Sequence, residues 1–75
     1  MTRKSEFEEL KLTLSENIRI LRGKRGLSQE RLAFEAGVDR TLVSKIERVI
    51  ANPTLEILTK LALVLEVPVI RLLKS

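Results

Sequence analysis

A row of hydrogen-bond donors lies on one side of the helix predicted between Asp39 and Arg48. The row contains no acidic side chain. Its members are Arg40, Thr41, Ser44, Lys45 and Arg48. Val43 and Ile46 lie three residues apart on the opposite side, so one face can pack on a core while the other stays free. In the major groove of DNA, guanine O6 and N7 and thymine O4 are acceptors that such donors can distinguish. Hydrogen bonding to DNA is therefore the chemistry that this row favours.

Two short predicted helices joined by a tight turn position the donor row within residues 27–48. Ser28 can cap the first helix, because its hydroxyl can accept from a free backbone N–H of the opening turn. Arg31 stands where a full capping box would need glutamate or glutamine, so the box is incomplete. Gly37 suits the left-handed residue that follows a helix, and Asp39 can cap the second helix.

This segment resembles the helix-turn-helix of the phage repressor and Cro family, often called XRE-type. The matching motifs are SQERLA at residues 28–33, AGVDR at 36–40, IER at 46–48 and NPTL at 52–55. The resemblance implies a compact all-α domain of five helices, similar to lambda repressor, and it covers about residues 14–73. Restriction–modification controller proteins have this size and pattern, and small phage or plasmid repressors are nearly as similar. The resemblance leaves these two classes open.

The resemblance also implies roles for the residues around the donor row. Arg40, in the opening turn of the recognition helix, is expected to read a guanine with both arms of its guanidinium. Lys45 is expected to reach a base or a phosphate, and the two hydroxyl side chains mainly the DNA backbone. Gln29 and nearby backbone N–H groups are expected to hold a phosphate. The full set of expected DNA contacts is Gln29, Arg40, Thr41, Ser44, Lys45, Arg48 and Asn52.

Arg22 falls where these repressors place an arginine that pairs with a glutamate of the recognition helix, here Glu47. The resemblance therefore implies a structural ion pair, since a largely buried charge is rare unless it is paired. The alternatives are a solvated charge near the end of its helix, where the helix dipole favours a cation, and a phosphate contact.

A longer amphipathic helix is predicted before the motif. Its apolar stripe consists of Phe7, Leu10, Leu14, Ile18 and Leu21. Ser5 could begin this helix with a capping box, and Thr13 offers a later start. We favour the long helix, with Gly26 as its stop and residues 1–4 as a mobile basic arm.

Relatives commonly carry glycine directly after the IER motif, where this chain has Val49. A β-branched residue is costly in a left-handed conformation, so the sequence predicts either a longer recognition helix or a different exit. Thr54 can cap a fourth helix, and Pro68 can occupy the first position of a short fifth helix. The predicted core face of the fourth helix consists of Leu55, Leu58, Leu61, Ala62 and Leu65.

Leu63 falls on the polar side of the fourth helix, and exposed apolar patches usually mark contacts. One recognition helix reads only a few base pairs, which is too little to single out a site in a genome. We therefore expect a homodimer on a near-palindromic operator of double-stranded DNA, with half-sites about 34 Å apart. The expected interface residues are Leu63, Val67, Val69, Ile70 and Leu73.

Composition limits the other classes of function. The chain has 75 residues and a net charge of +4, which fits one domain, residues 1–75, with a polyanionic partner. Glu30 and Glu35 can point away from the donor row. The absence of His and Cys gives an enzyme or a metal site little support, and we expect no cofactor, small-molecule ligand or membrane contact. A cytoplasmic location is the default.

The alternative function is a protein-interaction module, an antitoxin or adaptor that keeps this fold without reading DNA.

Overall fold

The computed structural model describes residues 3–75, with side chains from residue 6 onward. This part of the chain contains five helices and no strand. They are α1 (Arg3–Lys24), α2 (Gln29–Ala36), α3 (Arg40–Glu47), α4 (Leu55–Leu65) and α5 (Val69–Leu73). The predicted all-α fold with a helix-turn-helix is confirmed, with α2 and α3 forming the motif. None of the helices in the described range is long and apolar enough to cross a membrane.

Helix α1 is longer than its predicted capping signals suggested. It has 22 residues and begins at Arg3, so Ser5 lies inside the helix and Thr13 does not start it. Residues 3–4 of the predicted mobile arm are helical, because Arg, Lys and Glu are good helix formers and nothing there interrupts the helix. Residues 1–2 of that arm lie outside the described residues. At about 1.5 Å per residue, α1 is roughly 33 Å long.

The predicted caps around the turn between α2 and α3 are confirmed. Ser28 Oγ accepts the backbone N–H of Arg31 at 2.9 Å. Gly37 follows α2 in the left-handed conformation, with φ of 71°. Asp39 accepts the backbone N–H of Thr41 at 2.8 Å and so begins α3. These local contacts set the angle at which α3 leaves the turn.

The apolar core lies between α1, which packs on α3 and α5, and α2, which packs on α3 and α4. Its largest fully buried side chains are Ile18, Leu32, Val43, Ile46, Leu61 and Leu72. Burial of each such side chain is worth roughly 1.5–3 kcal/mol, which is why a chain with so few aromatics can form a core. Phe7 and Leu10 are 45% and 42% exposed, so the first turns of α1 extend beyond this core.

Helix α3 ends in a conformation that neither sequence alternative anticipated. Val49 itself is left-handed, with φ of 64°, although it is β-branched. The backbone N–H groups of Val49 and Ile50 donate to the carbonyl oxygens of Ile46 and Lys45, both at 3.0 Å. Val49 thus makes the left-handed exit that glycine usually makes, and these hydrogen bonds offset a strain of roughly 1–2 kcal/mol.

Two further details of the C-terminal helices differ from the prediction. Thr54 caps α4 as expected, with its hydroxyl accepting the Ile57 N–H at 3.1 Å, but Leu55 is 73% exposed. Leu55 opens the helix ahead of the turns that reach the core, which is why periodicity assigned it wrongly. Pro68 is the N-cap of α5 rather than its first residue, because its ψ of 154° is extended.

Candidate nucleic-acid interface

Helix α3 has one buried face and one free face. Val43 and Ile46 are 0% and 2% exposed and anchor the helix in the core. Four members of the donor row are exposed and Ser44 is half-buried. The row therefore lies on the surface of the protein, where long donor side chains are free to contact a ligand.

Four of the seven expected DNA contacts line one shallow polar cleft where α2 and α3 begin. The cleft residues are Gln29, Glu30, Arg40, Thr41 and Ser44. Gln29 and Arg40 are the first residues of their helices, and free N–H groups at helix N-termini favour anions. Lys45 is exposed later on α3, and Arg48 is exposed directly after the helix ends.

Asn52 is not among the residues that line this cleft. It is exposed in the loop before α4 and borders an apolar groove beside Phe7 and Leu10 of α1. Its expected DNA contact therefore has no support from the geometry of the cleft.

Glu47, at the end of α3, lies in a buried network of hydrogen bonds. Its side chain is only 4% exposed and accepts two hydrogen bonds from Arg22, from Nε at 2.7 Å and Nη2 at 3.0 Å. Gln29 Nε2 donates to the same carboxylate at 2.9 Å. Arg22 and Glu47 are therefore joined as the resemblance implied, and the pair ties α1 to α3.

Burial alone would raise the pKa of Glu47. The hydrogen bonds from Arg22 and Gln29 and the charges of Arg22 and Arg19 outweigh that effect, so the pKa of this carboxyl lies below its usual value. Glu47 is therefore ionised at neutral pH. Arg22 shows the complementary change, because its hydrogen bonds with Glu47 raise the pKa of the guanidinium.

The backbone of Glu47 is also held by Ser15 and Arg19 of α1, two contacts that were not predicted from the sequence. Ser15 Oγ donates to the Glu47 carbonyl oxygen at 2.7 Å, and Arg19 Nη2 donates to it at 3.1 Å. Ser15 precedes Ile18 and Arg22 by three and seven residues, so it lies on the same side of α1. That spacing was the available signal, but a serine inside a helix has many equivalent explanations.

Gln29, the expected phosphate ligand, turns its side chain toward Glu47. A carboxylate only accepts hydrogen bonds, so the amide NH₂ group must face it. One N–H of Nε2 and the free backbone N–H groups of the first turn of α2 are left for another acceptor.

Glu30 contacts the donor row, although its position in the sequence also allowed it to point away from that row. Its carboxylate lies 2.5 Å from Nη1 of Arg40, across the turn between α2 and α3. Glu35 does lie elsewhere, paired with Arg31 within α2 at 2.6 Å. The cause is geometric: Glu30 and Arg40 lie in the first turns of two helices that open on the same cleft.

The C-terminal helices expose three large apolar side chains, Leu55, Leu63 and Ile70, which together we call the exposed apolar surface. Their exposed fractions are 73%, 78% and 66%. Leu63 and Ile70 belong to the expected dimer interface. Its other members, Val67, Val69 and Leu73, are partly buried against the core of their own chain, because α5 packs on both α1 and α4.

Comparison with known proteins gives consistent matches. The sequence model of the family HTH_3, described as Helix-turn-helix, matches residues 18–72. A hypothetical transcription factor of Neisseria meningitidis is 41% identical over 66 residues, which are 88% of this chain and 62% of that protein. The chain thus spans less than two thirds of the length of this relative.

Solved structures match over most of the chain. The restriction–modification controller protein C.AhdI of Aeromonas hydrophila superposes with a TM-score of 0.79 at 39% identity, covering 83% of this chain and 94% of that one. The Bacillus subtilis biofilm regulator SinR in complex with DNA gives a TM-score of 0.78 at 37% identity, covering 81% and 98%. This chain belongs to the helix-turn-helix family HTH_3.

Proposed function

We propose that this chain is a sequence-specific DNA-binding transcriptional regulator that places α3 in the major groove. The observation that carries the proposal is the exposed donor row of α3, which lies opposite a face fixed in the core by Val43 and Ile46. The fold agrees with that of SinR, which has been solved with DNA. A major groove about 12 Å wide admits one α-helix.

In this proposal Arg40 reads the bases. It is the first residue of α3, and the opening turn of a recognition helix contacts base edges most directly. Its side chain is 70% exposed, so the guanidinium can reach guanine O6 and N7 together. Thr41 and Ser44 line the same cleft and contact the backbone with some contribution from bases, and Lys45 reaches a base or a phosphate.

Phosphate contacts hold the helix in register. Gln29 supplies the N–H of Nε2 that Glu47 leaves free, together with the backbone N–H groups that open α2. Glu47 binds both Gln29 and Arg22. The side chain of Gln29, which binds the phosphate in this proposal, is therefore held in position by a buried ion pair. Arg48 adds a cation at the end of α3.

The regulator acts as a homodimer in this proposal, through the apolar surface of Leu55, Leu63 and Ile70. An exposed leucine on an otherwise polar helix face is stabilised when a second copy covers it. A two-fold dimer places two copies of α3 about 34 Å apart, so the operator is a near-palindrome. A restriction–modification controller is the finer proposal, supported by the likeness to C.AhdI.

Selection of bound sequences from a random duplex pool tests the proposal. The protein should enrich one near-palindromic site at moderate salt. Arg40→Ala should flatten the preference at one base pair of each half-site, with a loss of about 1–3 kcal/mol of discrimination. Gln29→Ala should weaken binding to all sequences alike. Failure to enrich any site would overturn the proposal and favour the protein-interaction alternative.

A further inference from the structure

The ion pair between Glu30 and Arg40 lies where DNA is proposed to bind. Glu30 is the second residue of α2 and Arg40 the first of α3, and Oε2 of the one lies 2.5 Å from Nη1 of the other. Their side chains are 69% and 70% exposed. Both line the polar cleft together with Gln29 and Thr41.

This ion pair contributes little to the stability of the fold. Exposed ion pairs add little to stability, because water screens the charges and two long side chains must be ordered. Helices α2 and α3 are already joined by buried side chains such as Leu32 and Val43. The main consequence of the pair is therefore for Arg40 itself, whose long side chain would otherwise sample many rotamers.

We propose that Glu30 is a specificity-determining residue that positions Arg40 for guanine and disfavours other contacts. The inference rests on the proposed function, in which Arg40 reads a base. A guanidinium has five N–H donors, and the contact with Glu30 uses Nη1. The edge formed by Nε and Nη2 stays free, so Arg40 can donate twice to guanine while it keeps its bond to Glu30.

Glu30 also opposes contacts that carry no sequence information. On unrelated DNA, an unrestrained arginine would bind the nearest phosphate, which supplies most of the affinity for nonspecific sites. The Glu30 carboxylate, held against Arg40, repels that phosphate. Glu30 thus lowers affinity for unrelated DNA more than for a site with the correct guanine, and the ratio of the two affinities rises.

Glu30→Gln tests the inference, and Glu35→Gln is its matched control. Both substitutions keep the side-chain shape, remove one negative charge from α2 and break one ion pair with an arginine. Affinities are measured by fluorescence anisotropy for the selected operator, for an operator with the Arg40-contacted guanine replaced, and for an unrelated duplex. Thermal melts establish that both variants are folded.

We expect Glu30→Gln to reduce the preference for guanine by at least about fivefold, within the range of one bidentate contact. The same variant should bind the unrelated duplex more tightly. Glu35→Gln should change all three affinities by the same factor. Equal behaviour of the two variants would overturn the role of Glu30 even if Arg40→Ala flattens the preference.

Arg40→Ala separates this inference from the proposed function. In the Arg40→Ala background, Glu30→Gln should leave the ratio of affinities unchanged, because no side chain remains to be positioned. A ratio that changes equally in both backgrounds would contradict positioning and indicate that Glu30 contacts a base directly. If Arg40→Ala alone leaves the preference intact, the base-reading role of Arg40 fails, and this inference fails with it.

Discussion

The end of α3 and the surface of α4 and α5 differ in where they place charged and apolar side chains. Around Glu47, charged groups lie inside the protein, and no buried side-chain nitrogen or oxygen of the described residues lacks a partner. On α4 and α5, large apolar side chains lie outside, with Leu63 at 78% exposure. In the first region, every buried polar side-chain atom has its hydrogen-bond partner within the chain. In the second region, apolar side chains are exposed that another protein surface can cover.

The difference indicates what each region does. A buried carboxylate that accepts three hydrogen bonds holds the end of α3 in place, because moving the helix away from these donors would leave a buried charge unpaired. An uncovered apolar surface does not hold any helix of the monomer in position, but its burial can drive association with a second copy. We therefore infer that Glu47 sets the direction of the recognition helix, and we propose that Leu55, Leu63 and Ile70 pair two such helices.

The largest effect on monomer stability is expected from Glu47→Gln, which breaks the buried network. Removal of one partner of a buried ion pair costs about 3–5 kcal/mol, and we expect about 3 kcal/mol because Arg22 retains some access to water. For a domain of this size the Tm should fall by more than about 10 °C in a thermal melt. Glu35→Gln, which breaks an exposed pair, is the control. A Tm for Glu47→Gln within a degree of the parent would contradict this role.

The same network predicts a pH dependence. The pKa of Glu47 in the folded chain is lower than the usual 4.5 of a glutamate carboxyl, so its stabilising effect is present above about that pH. The effect is lost as the pH falls below it toward the folded pKa. The gap in unfolding free energy between the parent and Glu47→Gln should be constant near neutrality and shrink in acid. Urea unfolding at a series of pH values measures that gap, and a gap that widens in acid would refute the assignment.

A smaller loss is expected where α5 is tied to α1. Asn17 Nδ2 donates to the carbonyl oxygens of Leu72 at 2.9 Å, Lys74 at 3.0 Å and Arg71 at 3.2 Å. Asn17→Leu leaves these carbonyls without that donor, at a cost of about 2 kcal/mol. Amide hydrogen exchange should accelerate in α5 more than in α3, which serves as the internal control. Equal acceleration in both helices would show that Asn17 does not act locally on α5.

Val49→Gly is expected to raise the free energy of unfolding by about 1 kcal/mol, because glycine adopts the left-handed conformation without strain. Its contacts at the end of α3 are backbone hydrogen bonds, which the substitution keeps. Ile50→Gly is the control, since Ile50 has no positive φ and should lose stability. Urea unfolding measures the stability of both variants. A destabilised Val49→Gly would mean that the packing of the valine side chain contributes more than the backbone strain costs.

The smallest change in monomer stability is expected from Leu63→Glu, within about 0.5 kcal/mol, because the side chain is exposed. Its effect should appear in assembly instead. Analytical ultracentrifugation should show a folded monomer where the parent is a dimer. Leu12→Glu replaces a leucine on α1 that is 52% exposed and should leave the dimer intact. A parent chain that is monomeric at high micromolar concentration would contradict the dimer proposal.

Patterns that act over a few residues could be predicted from the sequence. The caps at Ser28, Asp39 and Thr54 depend on single hydrogen bonds within one turn, and all three are present. The separation of faces on α3 follows from helical periodicity alone. The Arg22–Glu47 pair spans 25 residues and was predictable only by resemblance to a known family.

Features that depend on how the helices meet could not be predicted. Glu30 and Arg40 are ten residues apart, and their contact requires the angle between α2 and α3. Leu55 fits the apolar period of α4, yet it lies beyond the edge of the core. The sequence indicates that Val49 is unusual at this position. Its left-handed conformation is held by backbone hydrogen bonds, which cannot be predicted from the type of its side chain.

The central claim, that two copies of α3 read one symmetric site, is tested most directly by changing the spacing of the half-sites. The affinity for the selected operator is compared by fluorescence anisotropy with the affinities for a single half-site and for an operator lengthened by half a helical turn between the half-sites. Linked binding predicts that the intact operator binds more tightly than either by at least about 100-fold. Equal affinities for the three duplexes would contradict the claim.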